Sequence, residues 1–202
     1  MGILDVILPV GCAGCGRGRG SPCGRCVAAM DPGGWVSGLD VPALAAVVYS
    51  GAARELVVAL KYRRRRDALA WMADAVAATA AWASVSADVV TWVPASVEGR
   101  RSRGFDQGRL LAAAVGSRLG LPVVGALERR GAGRQVGRDR AGRALGAAAV
   151  GTMRRSATAV ADARVLVVDD VITTGASMIA AHRAVRSAGA TSVVGVAFAH
   201  AP

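Results

Sequence analysis

The residues with the most chemistry in them lie close together. Asp169 and Asp170 follow four apolar β-formers, Val165 to Val168, and precede a short turn of Thr173, Thr174, Gly175, Ala176 and Ser177 that leads into a helical stretch. Open α/β sheets take their ligands at the carboxyl ends of strands, which is where the two acids fall. The backbone N–H groups of a helix start, together with nearby hydroxyls, make a cradle for an anion. Gly175 lets the backbone come close to such an anion. Adjacent carboxylates accept hydrogen bonds from hydroxyl groups or hold a hydrated divalent cation. The pattern predicts a ligand that carries both a phosphate and hydroxyl groups.

A second constellation is formed by Cys12, Cys15, Cys23 and Cys26, two C-x2-C pairs separated by seven residues and interleaved with glycine. Each pair can turn two thiolates toward one ion. Four such soft ligands suit tetrahedral Zn²⁺, and a full set leaves no position open for chemistry, so the metal is expected to be structural. Two disulfides and a redox C-x-x-C are the alternatives. The lack of an export signal speaks against the first and the doubling of the motif against the second.

The string from Val165 to Ser177, VLVVDDVITTGAS, resembles the signature of the purine/pyrimidine phosphoribosyltransferase family at all thirteen positions. That resemblance implies a type I phosphoribosyltransferase fold that binds phosphoribosyl diphosphate (PRPP). The monophosphate would sit in Thr173–Ser177. Asp169 and Asp170 would be the catalytic acids beside the ribose, with Mg²⁺ as cofactor. Further segments are similar to the ComF family of competence-associated, phosphoribosyltransferase-like proteins. They are Thr91–Gln107 (TWVPASVEGRRSRGFDQ), the Tyr49…Leu60-Lys61-Tyr62 stretch and the four-cysteine knuckle. Trp92, Ala95, Asp106 and Gly146 depart from that family's usual residues.

The resemblance assigns Arg100, Arg101 and Arg103 to the pyrophosphate side, where guanidinium groups suit bidentate contact with phosphate oxygens. They are expected in a loop after a strand end, with Phe105 as an anchor beneath it and Gln107 as a helix cap or brace. Arg134, Gln135, Arg138 and Arg143 fall in an Arg- and Gly-rich stretch without periodicity, Glu128–Gly146, expected to be a mobile loop that closes over pyrophosphate or tracks a nucleic-acid backbone. Two functions follow as expectations. One is pentosyl transfer from PRPP to an unidentified acceptor. The other is an accessory role in binding single-stranded DNA beside a DNA-uptake machinery. His182 is read as a surface residue and His200 as part of a frayed tail.

The elements must hold these groups in place. Helical spacing runs over Ala52–Lys61, Asp67–Trp82, Arg109–Leu119 and Ser177–Ala188. Strand-like runs occupy Asp88–Val93, a short stretch near Val123, Ala147–Met153, Arg164–Val168 and Ser192–Phe198. Asp31–Gly38 reads as a linker or turn cluster. The alternation predicts an α/β fold with a mostly parallel central sheet flanked by helices, preceded by a small four-cysteine zinc-binding segment. The expected division is 1–30 for the knuckle and 31–202 for the phosphoribosyltransferase-like domain. The chain has 202 residues, 53% hydrophobic and 19% charged, which is too apolar for a disordered chain. Its net charge of +11 favours an anionic partner. No apolar run is long enough for a membrane span, and a cytoplasmic location is expected.

Overall fold

A computed structural model of the chain describes residues 11–63, 65–129, 150–152 and 157–202. Its elements, in chain order, are α1 (Gly24–Ala28), β1 (Pro32–Trp35), β2 (Ala43–Val48), α2 (Gly51–Tyr62), α3 (Leu69–Trp82), β3 (Val89–Trp92), α4 (Val97–Arg103), α5 (Gln107–Leu119), β4 (Leu127–Arg129), β5 (Val150–Thr152), β6 (Arg164–Ile172), α6 (Ala176–Ser187) and β7 (Ser192–His200). Five strands form the main sheet in the order β1-β2-β7-β6-β3, and β4 pairs with β5 in a separate antiparallel ribbon. β1 joins β2 antiparallel, and the other neighbours in the main sheet run parallel.

Helices cover both faces, as the alternation of elements requires. The pleat sends Leu166 and Val168 of β6 to one face and Val165 and Val167 to the other. The first face meets Leu56, Val57 and Leu60 of α2, Met72 and Val76 of α3, and Leu111 and Val115 of α5. The second meets Met178, Ala181 and Val185 of α6. A strand buried on both faces reads as a continuous apolar run, which is why Val165–Val168 carried the strand signal so plainly. Among the described residues, no helix is long and apolar enough to cross a membrane.

Three expectations need correction. Asp31–Gly38 is not only a linker, because Pro32–Trp35 pairs with β2 at the sheet edge. Proline is tolerated on an edge strand, and Gly33 lies so close to the Ala45 carbonyl that a Cβ would collide with it. Residues 97–103 form a helix rather than a loop. The Ser96 hydroxyl accepts the Gly99 N–H at its start, and Gly104, at φ 78°, closes it. His200 is not frayed. It ends β7 opposite Val48 and Ile172, and its carbonyl accepts the Tyr49 N–H at 2.7 Å. The stretch near Val123 contributes a single parallel bridge to Val90.

The cysteine segment is fastened to the sheet domain. Ala13 is buried in the same core as α2 and α3. The Gly11 carbonyl accepts Arg65 Nη2 at 2.6 Å.

Candidate functional site

β6 carries the acids to the sheet end, and its pleat sorts them. Asp170 shares the face of Leu166 and Val168, the one covered by α2. Lys61 in the last turn of α2 meets it there, Nζ to Oδ1 at 2.7 Å. Asp169 is half-buried, and its Oδ1 accepts the Asp170 N–H at 2.8 Å. After β6 the chain turns through Thr173 and Thr174. Gly175, at φ 73°, precedes α6, a region of backbone space that favours glycine. The N-cap of α6, Gly175, has no side chain to accept from the first turn; the Ala176 N–H reaches the Thr174 hydroxyl at 3.5 Å, and the helix start lines a cavity.

These groups line one cavity of about 300 Å³. Its floor is Asp169–Met178. One wall is Tyr49, Lys61 and Tyr62, and the other is Val93–Ser96 with Arg103, Gln107 and Arg129. Arg129, in β4, donates from Nε to the Pro94 carbonyl at 2.7 Å and from Nη2 to the Ser177 hydroxyl at 3.3 Å. It thereby holds a guanidinium over the helix start.

The arginines expected on the pyrophosphate side separate. Arg103 lines the cavity, and its Nε is buried without a partner. Arg100 borders a neighbouring groove with Trp92, Asp106 and Arg109. Arg101 is exposed. The helix turns Arg101 away from Arg100, its neighbour in sequence, while Arg100 and Arg103, three residues apart, open on adjacent hollows. Phe105 is half-buried against the core, with the Arg66 guanidinium 4.4 Å from its ring centre. Gln107 is buried beside the cavity, while the cap of α5 is Asp106, whose Oδ1 accepts the Arg109 N–H at 3.3 Å and Oδ2 the Ala95 N–H at 3.3 Å. Arg134, Gln135, Arg138 and Arg143 lie outside the described residues. His182 is half-buried on α6 and does not line the cavity.

Lys61 and Arg129 are the site residues that the sequence reading missed. Their partners are distant in sequence. For Lys61 the available signal was that it is the chain's only lysine.

Burial raises the pKa of Asp169, and the adjacent Asp170 carboxylate adds to the rise. Lys61, the Asp170 N–H and Arg129 pull against it, and the result is about 8. Burial disfavours charge on Lys61, but the Asp170 carboxylate more than offsets that and keeps Lys61 above its ordinary value. A carboxyl raised by folding keeps a proton that the unfolded chain releases near pH 4, so it costs stability as pH climbs toward 8. Asp169→Asn retains the Oδ1 acceptor and never ionises. In magnesium-free buffer the melting-temperature difference between this variant and the parent is expected to move in the variant's favour as pH rises from 5 to 8 and to level off above that. A constant difference across that range would show that Asp169 titrates normally.

The four sulfurs gather as their spacing predicts. All lie within 4.8 Å of one another, with Cys12 to Cys26 at 3.7 Å and Cys15 to Cys23 at 3.8 Å. Thiolates about 2.3 Å from a tetrahedral ion stand about 3.8 Å apart, so the set fits a zinc-sized cation. All four are free thiols rather than disulfides. Burial raises the Cys12 pKa, but hydrogen bonds from the Cys23, Cys15 and Gly14 backbones overcome it and bring the thiol to about 6. That favours the thiolate a metal needs.

The acid pair also suits a hard divalent ion. Asp170 Oδ2 is buried without a partner at the cavity, and carboxylate oxygen is the donor such ions prefer.

Residues 106–202 match the family described as the phosphoribosyl transferase domain. No curated protein matches the sequence. Three solved structures resemble the chain. The allosteric regulatory enzyme of purine biosynthesis is 26% identical over 63% of this chain and 24% of that one, at a TM-score of 0.42. Glutamine phosphoribosylpyrophosphate amidotransferase from B. subtilis, complexed with ADP and GMP, is 24% identical over 69% and 30%, at 0.46. Orotate phosphoribosyltransferase from Aeropyrum pernix is 20% identical over 84% and 75%, at 0.42. The chain thus spans less than a third of the length of the first two. With its mostly parallel central sheet flanked by helices, the chain has the fold of the type I phosphoribosyltransferases, and residues 106–202 match the phosphoribosyl transferase domain.

Proposed function

We propose that the cavity binds PRPP and that the protein transfers its phosphoribosyl group to a nitrogen nucleophile on an acceptor. The observation that carries this reading is the meeting, in one cavity, of two strand-end acids, the Thr173–Ser177 turn at the start of α6 and the guanidinium groups of Arg103 and Arg129. The 5-phosphate would lie in Thr173–Ser177, against the first turn of α6. Asp169 and Asp170 would accept hydrogen bonds from the ribose hydroxyls. Arg103 and Arg129 would hold the diphosphate.

In the transfer, the bond from ribose C1 to the diphosphate oxygen breaks and the diphosphate departs with the electron pair. The acceptor nitrogen forms the new bond to C1 and gives up its proton to the departing diphosphate. Positive charge gathers on the ribose ring in between, and the strand-end carboxylates are placed to favour it. Mg²⁺, held by the same carboxylates, would neutralise charge on the diphosphate. The four cysteines would hold structural Zn²⁺. The N-terminal knuckle, the Tyr49–Tyr62 stretch and Thr91–Gln107 support a ComF-like protein of the cytoplasm, divided at about residue 30.

Calorimetric titration of the full chain with PRPP and Mg²⁺ tests the reading. Saturable binding is expected, and Thr173→Ala/Thr174→Ala should weaken it by about tenfold or more, or about 1.4 kcal/mol. No heat at millimolar PRPP would overturn the proposal. A single-stranded oligonucleotide titrated in parallel examines the alternative. DNA binding through Arg residues would weaken steeply with salt and be displaced by PRPP if the cavity is shared. Of the described arginines, Arg54, Arg63, Arg65, Arg118 and Arg164 are each paired with an acid, which leaves fewer for a continuous basic track.

A further inference from the structure

Of the 25 Lys and Arg residues, one is lysine, and it sits at the cavity. Lys61 Nζ engages Asp170 Oδ1 at 2.7 Å. Asp170 is 3% exposed, and its other oxygen, Oδ2, is buried with no partner. A buried carboxylate oxygen without a partner is costly, and native folds keep such oxygens where a ligand or ion supplies the missing contact. The residue type at position 61 matters. An arginine fork would engage both carboxylate oxygens, whereas the compact ammonium engages one and leaves the second open.

We propose that Lys61 is the resident counter-cation of the acidic pair. It neutralises Asp170 before any ligand arrives and makes the pair one unit less negative toward a divalent ion. Such an ion is therefore held weakly by the bare cavity and gains its affinity from oxygens brought by a diphosphate-bearing ligand. Lys61 in this role is a positioning residue, acting through Asp170. The inference goes beyond the transfer reading, and its test contains no phosphoribosyl compound, so either can fail without the other.

The test is Mn²⁺ binding to the zinc-loaded full chain, followed by electron paramagnetic resonance of the free ion. Lys61→Met is expected to bind Mn²⁺ about tenfold more tightly than the parent, because one opposing charge is gone. Adding Asp170→Asn to that variant should abolish the gain. Lys61→Gln keeps an N–H donor toward Asp170 while losing the charge, so it guards against a Met variant that fails to fold, and the same gain is expected. Lys61→Arg should bind Mn²⁺ no more tightly than the parent. Unchanged affinity in both Lys61→Met and Lys61→Gln, or a gain that survives Asp170→Asn, would overturn the proposal.

Discussion

Gly175→Val is expected to eliminate phosphoribosyl-ligand binding, with a loss of about 100-fold or more, equivalent to about 2.7 kcal/mol. Two independent effects act at this position. Gly175 has φ 73°, where a β-branched residue is strained. A Cβ there would also run into Leu39 Cδ2, and Leu39 packs against the core beneath α6. Leu39 can turn its side chain aside, but the backbone strain is relieved only by shifting the turn, which re-aims the start of α6 and the Ser177 hydroxyl. Gly175→Ala meets the same collision with less branching, and a loss of about tenfold is expected. Calorimetry with ribose 5-phosphate reads the effect at the phosphate turn alone. Melting curves should show a far smaller change than the binding does, since α6 keeps Met178, Ala181 and Val185 in the core. Affinity within threefold of the parent in the valine variant would remove the turn from the site.

Loss of the metal proposed for the four cysteines should have the largest effect on stability. Cys12 and Cys26 are buried, and the segment they hold places Ala13 in the core shared by α2 and α3. α1 has five residues and cannot stand alone. Metal binding in small cysteine sites contributes on the order of 10 kcal/mol to folding. Cys26→Ser removes one of four ligands from the tetrahedron, and the melting temperature is expected to fall by about 10 °C or more, at about 2–4 °C per kcal/mol. Metal analysis of the purified protein should give about one zinc per chain in the parent and much less in the variant. A parent that carries no metal, or a variant that melts with it, would refute the structural role.

The site was legible in the sequence where its chemistry is contiguous. The acids, the turn and the start of α6 follow one another along the chain, so spacing alone places them together. The cysteine pairs are equally local. Lys61 and Arg129 belong to the same cavity through long-range packing, which periodicity does not report. β1 and β2 were missed for another reason. Pro32–Trp35 contains two glycines and Ala43–Val48 is half alanine, so neither shows the β-branched run that marks a strand. Val97–Arg103 lacks an apolar face and contains Gly99, which made it read as a loop, although Ser96 and Gly104 mark both of its ends. Of the three arginines expected to act together, Arg101 is the one that the helix turns away.

The last strand of the chain occupies the middle of the sheet. β7 lies between β2, near the amino end, and β6, and it bonds to both along most of its length. During synthesis, therefore, β2 has only β1 to pair with until residues 192–200 leave the ribosome. The core that α2 and α3 share lacks Val196 and Phe198 meanwhile, which is the situation in which chaperones and premature association compete with folding. β7 thus joins the β2–α2 side of the sheet, which carries Lys61, to β6, which carries Asp170, so the cavity and the finished sheet depend on the same pairing.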